Sequence, residues 1–272
     1  MENNQVKLIP KEIREAEWPV VRFLSDEEQG IYEQEIKKYF GKAFESLNVP
    51  KEGSNLFKVI KLNELGIKTA TLSDLELALE NGMNLRGFYE DTPSVVLRSN
   101  GDSYKPNDYL AKFLSKEVKK RNKKEKLNHS LVLNGLKLKE DSNSAYGLIL
   151  EPAENFEYFE APELDHENHL KKFSKLNEKG MPIFDKEGER TLYTKDKGLV
   201  GVYVIGVLLL GSGSVRLAFS GGDGRVVVKT GEAGSQNFGE YLSRLKQEKE
   251  KEISEPESRF DNSVKYLKTG KL

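Results

Sequence analysis

The chain has 272 residues, with 43 Lys or Arg against 44 Asp or Glu and a formal net charge of −1. Its lack of cysteine excludes disulfides, thiolate nucleophiles and cysteine-based zinc or iron–sulfur sites within it. Hydrophobic residues make up 37% and charged residues 32%, a polar balance that still leaves enough Val, Leu, Ile and Phe for a core and argues against full disorder.

Residues 5–9 suggest a short strand, and Lys11 to Leu24 a helix broken near Pro19. The polar start, Met1-Glu2-Asn3-Asn4, lacks a signal-peptide pattern, which predicts a soluble cytoplasmic protein. Ser25-Asp26-Glu27-Glu28 has the form of a capping box, in which Ser25 accepts from the amide of Glu28 and Glu28 reaches back. The helix it opens runs to about Leu47, and Asn48-Val49-Pro50 stops it. Leu56 to Leu62 reads as a strand. Thr71-Leu72-Ser73-Asp74, with Glu76, gives a second capping box and opens a short helix that ends at Asn81-Gly82. Ser94 to Arg98 is a buried-strand signal, followed by an Asn100-Gly101-Asp102 turn.

Asn107 to about Lys124 is the clearest helix. Leu110, Phe113, Leu114, Glu117, Val118 and Arg121 share one stripe. His129 to Lys139 alternates as one or two strands, Ala145 to Phe159 as another, and Leu164 to Leu176 reads as a helix. Farther on, Pro182-Ile183-Phe184 and Thr191 to Thr194 look like the arms of a hairpin around Asp185 to Gly188. Val200 to Leu210, Val215 to Phe219 and Arg225 to Lys229 look like three further strands, with Gly222-Asp223-Gly224 as a tight turn. The apolar run from Leu199 to Leu210 falls well short of the about 20 residues a membrane span needs, and it also reads as a β pair. Gln236 to about Glu252 is a closing helix.

The charge pattern breaks in the middle of the chain. Lys105 to Lys139 hold 11 basic residues and 3 acidic ones, a net +8; Glu140 to Leu170 hold 9 acidic residues and no Lys or Arg. Within the basic stretch, Lys112, Lys116, Lys119, Lys120 and Lys123 share one helical face, where they could contact successive phosphates. Tyr104, Tyr109 and Phe113 lie near enough to stack bases, although Phe113 belongs to the apolar stripe and fits a core position better. The bland alternative is a solvated outer face, or pairing with the acids that follow.

In the acidic stretch, His166 and His169 stand three apart on the expected helix beside Asp165, a set that could hold a metal ion. The spacing differs from that of His-Glu-x-x-His, and early acids also suit an ordinary helix start. Gly211-Ser212-Gly213-Ser214 and Gly221 to Gly224 lie between strands and read as turns rather than phosphate cradles. Outside the charged runs, Arg98, Ser99 and Asp102 form the most site-like polar group.

Val95-Val96-Leu97-Arg98-Ser99-Asn100, Asp141 to Leu148 (Asp-Ser-Asn-Ser-Ala-Tyr-Gly-Leu) and Asp223-Gly224-Arg225-Val226-Val227-Val228 resemble stretches of uncharacterised hypothetical proteins of small-genome archaea. That resemblance covers much of the chain after residue 94. It implies no known activity and transfers no functional residue.

Helices and strands are mixed without a βαβ rhythm. The expected fold class is therefore α+β: a mostly antiparallel sheet with packed amphipathic helices. The expected division is a mixed region over 1–178, a β-rich region with a closing helix over 179–252 that can share its domain, and a flexible tail over 253–272. The expected function is non-catalytic binding of a polyanion such as RNA through the lysine face, with no cofactor and no membrane. The alternatives are a metal-dependent hydrolase built on His166, His169 and Asp165, and an interaction or structural subunit that self-associates through its opposite charges.

Overall fold

The computed structural model describes residues 20–35, 56–80, 83, 89–98, 104–121, 128–196, 198–205, 209–213, 217 and 224–230. The strand expected at 5–9, most of the helix at 11–24, the far end of the helix from 26, the turn at 100–102, Lys123, the closing helix and the tail lie outside these residues.

Eleven strands and four α-helices alternate irregularly along the described chain. They are β1 (Val20–Phe23), α1 (26–35), α2 (Leu56–Glu64), α3 (Leu72–Glu80), β2 (Tyr89–Leu97), α4 (Asp108–Arg121), β3 (Leu131–Glu140), β4 (Leu148–Glu160), β5 (Lys172–Leu176), β6 (Pro182–Phe184), β7 (Arg190–Thr194), β8 (Leu199–Ile205), β9 (Leu209–Ser212), β10 (Gly224–Arg225) and β11 (Val227–Thr230). One nine-stranded sheet has the order β4-β3-β2-β8-β9-β7-β5-β6, with β10 beside the start of β2. Only β10–β2 and β7–β9 pair in parallel within it. The fold is thus α+β with a mostly antiparallel sheet. Strands from before and after residue 178 belong to this one sheet: β2 pairs with β8 from Tyr89↔Ile205 to Leu97↔Leu199. The separate pair β1–β11 joins residues 20–23 to 227–230, so the end of the segment expected as a helix is instead a strand.

Successive strand residues face opposite sides of a sheet. In β2, Val95, Val96 and Leu97 are all buried, so both faces of the sheet are covered there. On one face Val96, Val132, Val200 and Val202 join Leu72 and Leu75 of α3 in a single apolar cluster that also takes in Phe173. The two outermost strands, β4 and β6, border a common cavity of about 610 Å³, lined by Phe159 and Glu160 on one side and by Leu176, Lys179 and Ile183 on the other. The sheet therefore curls toward itself.

Both capping boxes are present. The Ser25 amide donates to Glu28 Oε2 over 2.9 Å and the Glu28 amide to Ser25 Oγ over 3.3 Å; Thr71 and Asp74 do the same at the start of α3.

Three further sequence expectations are corrected. The segment from Leu56 to Leu62 is helical rather than extended. Every one of these residues is buried, so the run carries no alternation by which to tell a strand from a buried helix. The helix ends in a Schellman motif: Gly66 has φ +86°, its amide donates to the Asn63 carbonyl, and Ile67 donates back to Leu62 over 2.9 Å. Leu164 to Leu176 is not a helix. It forms two 3-10 turns, Pro162–Leu164 and His166–Asn168, and then β5, because Asp165 between the turns is extended and Leu170 sits at φ +66°. Finally, β6 and β7 do not pair as a hairpin. β5, expected to be helical, lies between them and bonds to both. Gly188 in the connecting loop passes so close to β5 that an added Cβ would lie 2.4 Å from the Phe173 carbonyl.

Val200 to Leu210 divides into the antiparallel pair β8–β9. Of the strand expected at 215–219, only Leu217 is described, and it lies in a turn.

Candidate nucleic-acid interface

α4 follows a 3-10 turn, Lys105–Asn107, with Pro106 at its start. Buried Asn107 fixes this end of the helix: its side-chain amide donates to the Leu199 carbonyl over 2.7 Å and its Oδ1 accepts from the Tyr146 hydroxyl over 2.6 Å. Leu110, Leu114 and Val118, at four-residue steps, are fully buried, which turns the opposite side of the helix outward. Phe113, expected in the core, is half-buried, and Tyr109 is 37% exposed with its hydroxyl donating to Asp141 over 3.0 Å.

That outward orientation leaves Lys112, Lys116, Lys119 and Lys120 exposed. Lys120 shares Glu117 with Arg121, whose Nη1 lies 3.0 Å from the carboxylate. Among the described residues, no carboxylate pairs with Lys112, Lys116 or Lys119. Cations in the last turn complement the helix dipole, which accounts for Lys119 and Lys120 but not for Lys112 or Lys116 in the middle of the helix. Of the acids that follow, Glu151 on β4 has other partners: it pairs with Lys137 at 3.2 Å and with Lys139 at 3.1 Å, both across the ladder on β3.

The three histidines and Arg98 gather at another place, around the turns after β4. His129 Nδ1 is 2.7 Å from Asp165 Oδ2, and Asp165 Oδ1 accepts from the Ser130 amide over 2.7 Å. Partial burial alone would raise the Asp165 carboxyl; the Ser130 amide and His129 outweigh it and hold it below the ordinary range, while the bond from Asp165 pushes the His129 imidazole up. His166 and His169, expected on a helix, lie instead in and just after a 3-10 turn, with their rings stacked 5.5 Å apart. His169 Nδ1 accepts from the Thr194 amide at 3.2 Å, which places its proton on Nε2. Both Asp165 oxygens and one nitrogen of His169 are therefore already engaged. Among the described residues, no group of three or more His, Asp or Glu is arranged to hold a metal ion.

Arg98 lies inside the fold, only 5% exposed. Its Nη2 lies 2.5 Å from Thr194 Oγ1, 3.0 Å from both the hydroxyl and the carbonyl of Ser212, and 3.2 Å from the Leu164 carbonyl. It fastens the end of β2 to β7, β9 and the first 3-10 turn. Burial lowers its pKa to about 10, against the pull of Asp165 and Asp196. Ser99 and Asp102, grouped with it by sequence, lie outside the described residues.

No described helix is long and apolar enough to cross a membrane. Comparison with known proteins finds no matching family model, no matching curated protein and no matching solved structure.

Proposed function

We propose that the protein binds a nucleic acid such as RNA through the outer face of α4, with Lys112, Lys116, Lys119 and Lys120 contacting phosphates and Lys123 continuing the row in sequence. One observation carries this reading: three of these lysines have no carboxylate partner among the described residues, although the most acidic stretch of the chain comes directly after them. A solvated surface normally interleaves both signs of charge, whereas a one-signed strip raises the local concentration of a polyanion. Arg98 and Arg190, by contrast, are buried, Arg190 against Glu76 of α3, and offer nothing to a ligand.

Binding of this kind is electrostatic and tolerant of sequence, because lysine presents a point charge rather than the planar fork that reads bases. Each phosphate neutralised releases counterions, so affinity falls steeply with salt. Titration of a fluorescent RNA oligonucleotide with the full chain at about 50 mM and then 200 mM salt tests the proposal. It predicts saturable binding at the lower concentration and at least a tenfold loss at the higher. No binding at low salt rejects the reading.

A further inference from the structure

Resting on that reading, we infer that the ligand is a single strand, with bases stacked on Arg121, Phe156 and Tyr158 while its phosphates follow the lysine row. α4 lies against β4, the outermost strand on its side of the sheet. Tyr109 ties the first turn of the helix to Asp141, just ahead of β4. At the last turn, the Arg121 guanidinium sits 5.0 Å from the Phe156 ring centroid. The Phe156 and Tyr158 rings follow on the same strand, 5.9 Å apart and tilted by 39°. Both are half-buried, and the Arg121 side chain keeps 43% of its surface exposed. The basic ridge thus ends at a row of flat groups of the kind on which unpaired bases stack, whatever their sequence.

Two further features favour one strand over a duplex. From Lys112 to Lys119 the helix advances only about 10 Å at 1.5 Å per residue, room for a few phosphates, so charge alone gives weak attachment and leaves stacking to supply the rest. The ridge is also narrow. β4 beside it carries Glu151, Glu154, Glu157 and Glu160 and no Lys or Arg. The second backbone of a duplex would pass over those carboxylates, and pairing would hide the base faces from Phe156 and Tyr158. A single strand keeps its base faces open to Phe156 and Tyr158 and brings one backbone rather than two past the glutamates of β4.

The test uses the full chain and three probes of equal length in fluorescence anisotropy at low salt: an RNA strand, the duplex of that strand, and a phosphodiester strand of the same charge without bases. The RNA strand is expected to bind about tenfold or more tightly than either of the others. A Phe156→Leu/Tyr158→Leu variant, which keeps Arg121, is expected to lower the affinity for the RNA strand most of the way to that for the baseless strand, and to leave the latter unchanged. Because the wild-type comparison needs no variant, the inference stays falsifiable if the double substitution fails to fold. Equal affinity for all three probes overturns the inference and leaves polyanion binding standing. Binding of none of them removes both.

Discussion

The helix α4 and the interior beside β7 hold the same kind of group in opposite states. On α4, Lys112, Lys116 and Lys119 stand in solvent without a carboxylate, so removing one of them breaks nothing that the described residues show. Beside β7, Arg190 pairs with Glu76 of α3 and lies over the Phe173 ring at 4.6 Å, and Arg98 is held by Thr194, Ser212 and Leu164. A cation buried in this way is inseparable from the fold, because its charge becomes costly as soon as its partners are removed. A cation left outside serves the fold little and remains available to a partner. The contrast separates residues needed for folding from residues available for binding, and each prediction below bears on it.

The largest expected effect is in the interior. Glu76 Oε1 also accepts the Leu176 amide over 2.9 Å, so Glu76→Ala orphans both that amide and the Arg190 guanidinium. Urea unfolding should show a loss of about 3–5 kcal/mol. A loss below about 1 kcal/mol, the range of surface pairs, would mean that Arg190 is effectively solvated and would blur the comparison.

A second interior charge gives a pH signature. Glu90 is fully buried, and burial raises its pKa to about 7 even though Arg225 beside it pulls the other way. In the unfolded chain such a carboxyl ionises near about 4.3, so between these values the folded state keeps a proton that the unfolded state has lost. Stability should fall as pH rises through this window, by up to about 1.4 kcal/mol per pH unit, and level off above it. Thermal unfolding from pH 4 to 8 measures the slope, and Glu90→Gln should flatten it. An unchanged slope in that variant would assign the effect to other groups.

Between interior and surface lies the cap of α1. Ser25→Ala removes an acceptor for the Glu28 amide and should cost about 1 kcal/mol by the same unfolding assay. Glu28 is also held by Arg22, at 2.7 Å from each carboxylate oxygen, so a much larger loss would show that the cap supports this ion pair.

The smallest expected change in stability is on the ridge. Lys112→Gln/Lys116→Gln/Lys119→Gln should unfold within about 0.5 kcal/mol of the wild type. A larger loss would place these lysines with the structural charges of the interior.

Much of this contrast is visible in the sequence. The capping pairs Ser25–Glu28 and Thr71–Asp74, the helix with Leu110, Leu114 and Val118 inward, and the lysine face all follow from local spacing. The errors arise where local signals are ambiguous. Leu56 to Leu62 is buried on every side, Lys58 and Lys61 included, and the better clue there was Gly66, which terminates a helix. Leu164 to Leu176 has helix-like spacing, but the third dimension breaks it: Asp165 bonds to residues 129 and 130, and β5 is drawn between β6 and β7. The partners of Arg98 at 164, 194 and 212 are too distant in sequence for any spacing rule to find. The pairing of Glu151 with Lys137 and Lys139 is likewise set by strand register. It decides which lysines Glu151 meets, and sequence left that open.

The most direct test of the account is the salt dependence of RNA binding by the ridge variant beside a control, Lys175→Gln/Lys179→Gln/Lys186→Gln, which removes the same charge from the β5–β6 region. Three phosphate contacts on a single strand contribute about 2 to the slope of log affinity against log salt, at about 0.7 per contact. The account predicts that the ridge variant loses about that much slope while the control keeps the wild-type value. Equal slopes for the wild type and both variants, or an equal loss in both variants, would contradict it.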